Sequence, residues 1–126
     1  YKNMNLLTPT EREARVGTRN QNDGLIILAE DLRKKTLAEN IILKLAGEGL
    51  IIHKAKNKKW ENDKIHALNN FPSDVAGAGD CLLIASSMSL ACGADIWEAS
   101  YLGSVASAAQ VGKIGNIPIK REEILI

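Results

Sequence analysis

Two stretches without a charged side chain, residues 81–94 and 99–112, constrain this chain most. A membrane-spanning helix needs about 20 apolar residues, so both are expected as buried helices of a soluble fold. The first is entered through "DVAGAGD", Asp74 to Asp80. Small residues separate two acids there, and the second acid stands at the mouth of the uncharged run. Gly77, Ala78 and Gly79 let a ligand approach the backbone closely. A helix starting near Gly79 presents unpaired amides with the positive end of its dipole behind them, which makes an anion site. The dipole alone would favour Asp80 in that first turn, so simple capping is one reading. Capping does not require three small residues ahead of the acid. The other reading is phosphoryl transfer, in which a carboxylate beside an anion hole accepts the proton of an attacking alcohol.

The chain has 126 residues and a net charge of +1. That length allows one domain with a modest core. The charge balance gives no overall field that argues for nucleic acid, a membrane surface or an acidic substrate. The densest basic stretch, "HKAKNKK" at His53 to Lys59, reads as a solvated hairpin loop. No basic segment followed by an apolar run opens the sequence, so no leader and a cytoplasmic location are expected. Cys81 and Cys92 fall in one expected helix, about 16 Å apart along its axis, beyond disulfide reach. They read as buried thiols in a reducing compartment.

The remaining elements follow from periodicity. "MNLLT", Met4 to Thr8, reads as a short buried strand that needs a partner. "PTEREARV" reads as a helix with Pro9 near its first turn. Leu25, Leu28, Ala29 and Leu32 recur at helical spacing, with Asp23 as N-cap. "NIILKL" and "LIIHKA" form a hairpin about the turn "AGEG", and "KIHAL", Lys64 to Leu68, is a third strand. Two helices follow, at about Gly79 to Cys92 and Ile96 to Val111, with Gly93 at a C′ position and Asp95 as N-cap. Gly112 and Gly115 end the second, and a last helical turn closes the tail. Strand, helix, strand, strand and then helices reads as an α/β unit, the later half of a larger domain.

"DVAGAGD" resembles the D-T-x-G-A-G-D signature of the ribokinase-like (PfkB) carbohydrate kinases. "LLTPTEREA" resembles that family's strand followed by T-P-N-x-x-E, and "LKLAGEGLIIH" its hairpin T-L-G-x-x-G. "VGKIGNIPI" resembles the heptose-phosphate kinase branch, which reads V-G-K-L-G-T. The stretches occur in the family's order. The resemblance implies a ribokinase-like three-layer α/β/α fold, with residues 1–126 as the C-terminal, nucleotide-binding portion and the N-terminal half outside this chain.

The resemblance also implies ATP-dependent phosphoryl transfer to a hydroxyl of a sugar or sugar phosphate. Asp80 would be the general base, and the amides around Gly77, Ala78 and Gly79 the anion hole. Glu13 would organise Mg²⁺ through water. Asp74, with backbone carbonyls near Lys113 to Gly115, would hold a monovalent cation such as K⁺. Gly47, Gly49 and the loop after Val111, including Lys113, would bracket the adenine and ribose, with Ser104 near the base. A homodimer stays open, because the lid that forms dimers in the family would lie outside this chain. Thr10 replaces the Asn of N-x-x-E, Lys44 and Ala46 replace the Thr and first Gly of the hairpin signature, and Val75 and Ala76 stand where Thr is common. These departures favour an alternative: a degenerate kinase fragment that binds nucleotide or a protein partner without catalysis.

Overall fold

The computed structural model describes residues 1–125. The chain divides into two compact units, Tyr1–His66 and the part from Ala67 onward. The first unit holds β1 (Leu6–Leu7), α1 (Glu11–Thr18), α2 (Leu25–Thr36), β2 (Asn40–Lys44), β3 (Leu50–Lys56) and β4 (Lys59–Ile65). Its sheet has the order β1-β2-β3-β4. β1 pairs parallel to β2, with α1 and α2 as the crossover, and the other pairs are antiparallel.

Local chemistry sets the helix starts. Thr10 is the N-cap of α1, and its hydroxyl accepts from the Glu13 amide at 3.2 Å. The Glu13 carboxylate in turn accepts from the Thr10 amide at 2.7 Å. This reciprocal box satisfies two N-terminal donors. The N-cap of α2 is Gly24 and not Asp23. Asp23 instead accepts from the Asn20 side chain at 2.9 Å and so shapes the preceding loop. The periodic face of α2 packs as its spacing requires: Leu28, Ala29 and Leu32 join Ala14, Ile41, Leu43 and Ile51 in one core. Burying each large aliphatic side chain there contributes roughly 1.5–3 kcal/mol.

The expected strand at Met4 to Thr8 is regular only at Leu6–Leu7, and β2 is its partner. The β2–β3 hairpin forms as expected, closed by the Leu45 amide donating to the Gly49 carbonyl at 2.8 Å. Gly49 adopts φ 95, ψ −133, a conformation in effect confined to glycine. Ala46, the substitute for a family glycine, takes φ 51. The expected strand over "KIHAL" is displaced: β4 runs from Lys59 to Ile65. A two-residue turn at Asn57 (φ 42) and Lys58 (φ 68) sets its register, pairing Lys56 with Lys59. Most of β4 is exposed on both faces, so it carries no apolar alternation to read.

The second unit holds α3 (Ala78–Ala91) and α4 (Ile96–Val111), the latter with the expected bounds. Asp95 caps α4 and forms a reciprocal box with Glu98. The two helices meet at Gly103, where an added Cβ would collide with Ser86 Oγ and lie 3.0 Å from the Leu82 carbonyl. Ser86 donates to the Ala99 carbonyl at 3.0 Å across the same contact. The expectation that both uncharged runs are buried throughout fails on each helix: on α4 Tyr101 is 52% exposed, and α3 departs further. Leu82 and Ser86 are buried, whereas Ile84 and Met88 are 59% and 64% exposed. Cys92 is exposed and Cys81 half-buried, so neither is the deeply buried thiol expected, although both are free. Lack of charge permits burial on every side of a helix but does not supply a partner for every side. Among the described residues, no helix is long and apolar enough to cross a membrane.

Candidate active site

The sequence from Asp74 to Asp80 folds as a turn held by its own first residue. One Asp74 oxygen accepts from the Ala76 amide at 2.9 Å, and the other accepts from the Gly115 amide at 3.0 Å. The Ala76 and Gly115 amides hold the Asp74 carboxyl below the usual carboxylate range. Gly77 then reverses the chain with φ 77 and becomes the N-cap of α3, which no side chain caps. An alanine at Gly77 would be strained, and its Cβ would run into the Asn116 carboxamide packed beside it.

The amides of this turn sort into two sets. Ala76 donates to Asp74, and Ala78 donates to the Val75 carbonyl at 3.3 Å. Among the described residues the amides of Gly77, Gly79 and Asp80 have no hydrogen-bond partner. Of the amides expected to form an anion hole around Gly77, Ala78 and Gly79, that of Ala78 is taken by Val75, while those of Gly77 and Gly79 stay unpartnered, as does that of Asp80. The Asp80 side chain is exposed rather than turned inward. The turn thus offers three open donors at the positive end of α3, beside a solvent-facing carboxylate.

The flanking residues are more constrained. The Val111 carbonyl accepts from Ser73 at 2.7 Å and Asp74 at 3.2 Å, so Val111 anchors the turn. Lys113 donates to Glu123 at 2.8 Å and to the Pro118 carbonyl at 3.2 Å, which occupies its ammonium within the tail. Ser104 lies on the buried face of α4, which weighs against contact with a base.

Gln110 was not singled out from sequence. It is 1% exposed, and its amide nitrogen donates to the carbonyls of Ala76 at 3.4 Å and Gly115 at 3.3 Å. Its oxygen accepts from the Cys81 thiol at 3.7 Å. Burial, with the Asp80 charge adding to it, pushes the Cys81 thiol up, so Cys81 is the donor at neutral pH. The signal for this residue is slight: one carboxamide in an uncharged run of small side chains.

In the first unit, Glu13 holds the α1 capping box, and the Thr10 amide and hydroxyl, with Lys44 nearby, lower its carboxyl. Thr10 and Lys44, two departures from the family pattern, face each other in a parallel bridge. Space for a Cβ is open at Gly47. The sequence reading also missed a buried polar cluster. His53 is fully buried, and its Nε2 lies 2.7 Å from Glu30. Arg33 donates to both Glu30 oxygens at 2.7 and 2.9 Å. Arg33, then His53, bring the Glu30 carboxyl down to about 2 against the cost of burial.

The fit to the expected cofactors differs from one to the next. The open amides suit a phosphate. Among the described residues no three acidic, histidine or cysteine side chains gather as a metal site. A divalent ion would therefore have to arrive with phosphate ligands, as Mg²⁺ commonly does. The residues expected for a monovalent cation do not fit one as they stand. The carbonyls of Ala76 and Gly115 both accept from the Gln110 amide nitrogen, so a carboxamide stands where a cation would have to meet them.

No family model matches the chain. The bifunctional protein HldE of Helicobacter hepaticus is 31% identical over 99% of this chain and 26% of its own length. The chain thus spans about a quarter of the length of the curated relatives it matches. A ribokinase structure from Thermotoga maritima superposes with a TM-score of 0.82 at 25% identity, covering 96% of this chain and 41% of that one. Phosphofructokinase-2 from Escherichia coli, solved in complex with potassium, gives 0.84 at 17%, covering 98% of this chain and 40% of its own. In its motif order the chain resembles the ribokinase-like (PfkB) carbohydrate kinases, and it shares their α/β fold.

Proposed function

We propose that the chain is the C-terminal, nucleotide-binding portion of an ATP-dependent kinase acting on a hydroxyl of a sugar or sugar phosphate. The observation that carries this reading is the uncapped start of α3, with open Gly77, Gly79 and Asp80 amides beside the exposed Asp80 carboxylate. The amides would take charge on the phosphoryl group in flight. Asp80 would accept the hydroxyl proton, and its exposure leaves room for an acceptor alcohol. Mg²⁺ bound to ATP would neutralise phosphate charge, with Glu13 reaching it through water. Gly47 and Gly49 are proposed at the nucleotide's adenosine end. The stretch from Val111 to Gly115 resembles that of the heptose-phosphate kinase branch. Coverage of about two fifths of the ribokinase chain supports a portion of a longer domain, as do the exposed Ile84 and Met88. A cytoplasmic enzyme without nucleic-acid or membrane partners is the matching setting.

A second reading, nucleotide or protein binding without catalysis, draws on two observations. Thr10 and Glu13 are spent on capping α1, and Lys113 is tied to Glu123. Turnover of ATP by the intact gene product over a panel of sugars and sugar phosphates, with Asp80→Asn alongside, separates the two. Transfer lost in the variant with ATP affinity kept supports the kinase. Equal turnover in both proteins rejects Asp80 as base.

A further inference from the structure

The carbonyls of Ala76 and Gly115 converge on one buried group, the Gln110 amide nitrogen. Two carbonyl dipoles aimed at one point repel each other unless something positive lies between them. A bound cation would serve, and so do the two hydrogens of a carboxamide. The thiol of Cys81 on the Gln110 oxygen fixes which end of the amide faces the carbonyls. Gln110 is 1% exposed at the end of α4, so its position is set by packing.

Fixing the Ala76 carbonyl has a direct consequence one atom further on. The Ala76 carbonyl and the Gly77 N–H belong to one planar peptide unit and point in opposite directions. Whatever holds the carbonyl aims the N–H. The Gly77 N–H is one of the three open donors at the start of α3. Gly115 is tied a second time, through its amide to Asp74. The two loops therefore close around a polar centre made of protein atoms.

We propose that Gln110 is a positioning residue for the anion hole, and that its carboxamide ties the Ala76 and Gly115 loops in place of a monovalent cation. The role as an aid to phosphate binding rests on the kinase reading; the tie between the loops does not.

Hydrogen–deuterium exchange on the intact gene product tests it, in potassium chloride against choline chloride. The amides of Ala76, Ala78 and Gly115 are the reporters, because they are bonded within the two loops. Wild type is expected to exchange equally in both salts. Gln110→Ala removes the carboxamide and leaves space between the two carbonyls for an ion to enter. In choline it should exchange about tenfold faster at these amides, the loss of roughly one hydrogen bond, and potassium should slow it again. Peptides over residues 96–106 should not change. Three outcomes overturn the proposal: wild-type loops that tighten in potassium, a variant that matches wild type, or a variant that loosens equally in both salts. Phosphoryl transfer is read separately on the same wild-type protein. Its absence, with the exchange pattern intact, would sink the kinase reading and leave the tie standing.

Discussion

Helices α3 and α4 are neighbours, each uncharged beyond its first turn, with opposite beginnings. Asp95 and Glu98 close the start of α4 with two reciprocal hydrogen bonds of 2.9 and 3.0 Å. The start of α3 has a glycine, no side-chain cap and three open amides. In the first unit Thr10 and Glu13 close α1 and Arg33 and His53 close around Glu30, whereas α2 starts at Gly24 with no side-chain cap and no acid in its first turn. Stability alone favours closure, because an N-cap contributes about 1 kcal/mol. A start left open beside a carboxylate is therefore the place to look for chemistry.

The largest expected effect is at the open start. Asp80→Asn should lower the turnover number by about a thousandfold, within the range for a positioned general base. The melting temperature should move little, since the loss of one first-turn charge costs under about 1 kcal/mol. If stability and turnover fall together, Asp80 is a cap after all and the contrast with α4 breaks down.

Gly77→Ala should cost about 2–3 kcal/mol, measured by denaturant unfolding, since positive φ and the Asn116 contact act together. A cost near zero would show that the turn relaxes and that its amides are not held in place.

Glu30→Gln should cost about 2–3 kcal/mol, by removing the charge that Arg33 and His53 share. The sign with pH follows from the lowered carboxyl. The stabilisation is present in full above the ordinary value of 4.5 and is lost as pH falls toward about 2. Wild type should therefore lose stability over that window more steeply than the variant. Parallel acid profiles would remove Glu30 from the closed side of the comparison.

The smallest effects sharpen it. Asp95→Ala should cost about 1 kcal/mol in unfolding free energy and leave turnover unchanged. Ala46→Gly should gain about 1 kcal/mol, because Ala46 sits at φ 51. A loss of activity in Asp95→Ala would mean that the closed start also serves the site.

What the sequence made legible follows the same division. The bounds of α4 could be read because Asp95 and Gly112 bracket a run whose cap chemistry is local. The β2–β3 hairpin could be read because its apolar residues and turn glycines are contiguous. β4 could not, because Lys59–Ile65 is largely exposed and its place is set by backbone conformation at Asn57 and Lys58. The motif located Asp80 and the open turn, but not which amides the turn itself uses. Gln110 and the Glu30–His53 pair escaped because their partners lie far along the chain, at separations of 34 and 23 residues for Ala76 and Glu30. Local pattern carries no trace of such contacts.

The most direct test of the open start is a ¹⁵N–¹H titration of the intact gene product with ATP and Mg²⁺. The Gly77, Gly79 and Asp80 resonances should shift along one saturable curve while Glu98, at the closed start of α4, stays fixed. Saturating ATP that moves none of the three, or that moves Glu98 as far, would contradict the account.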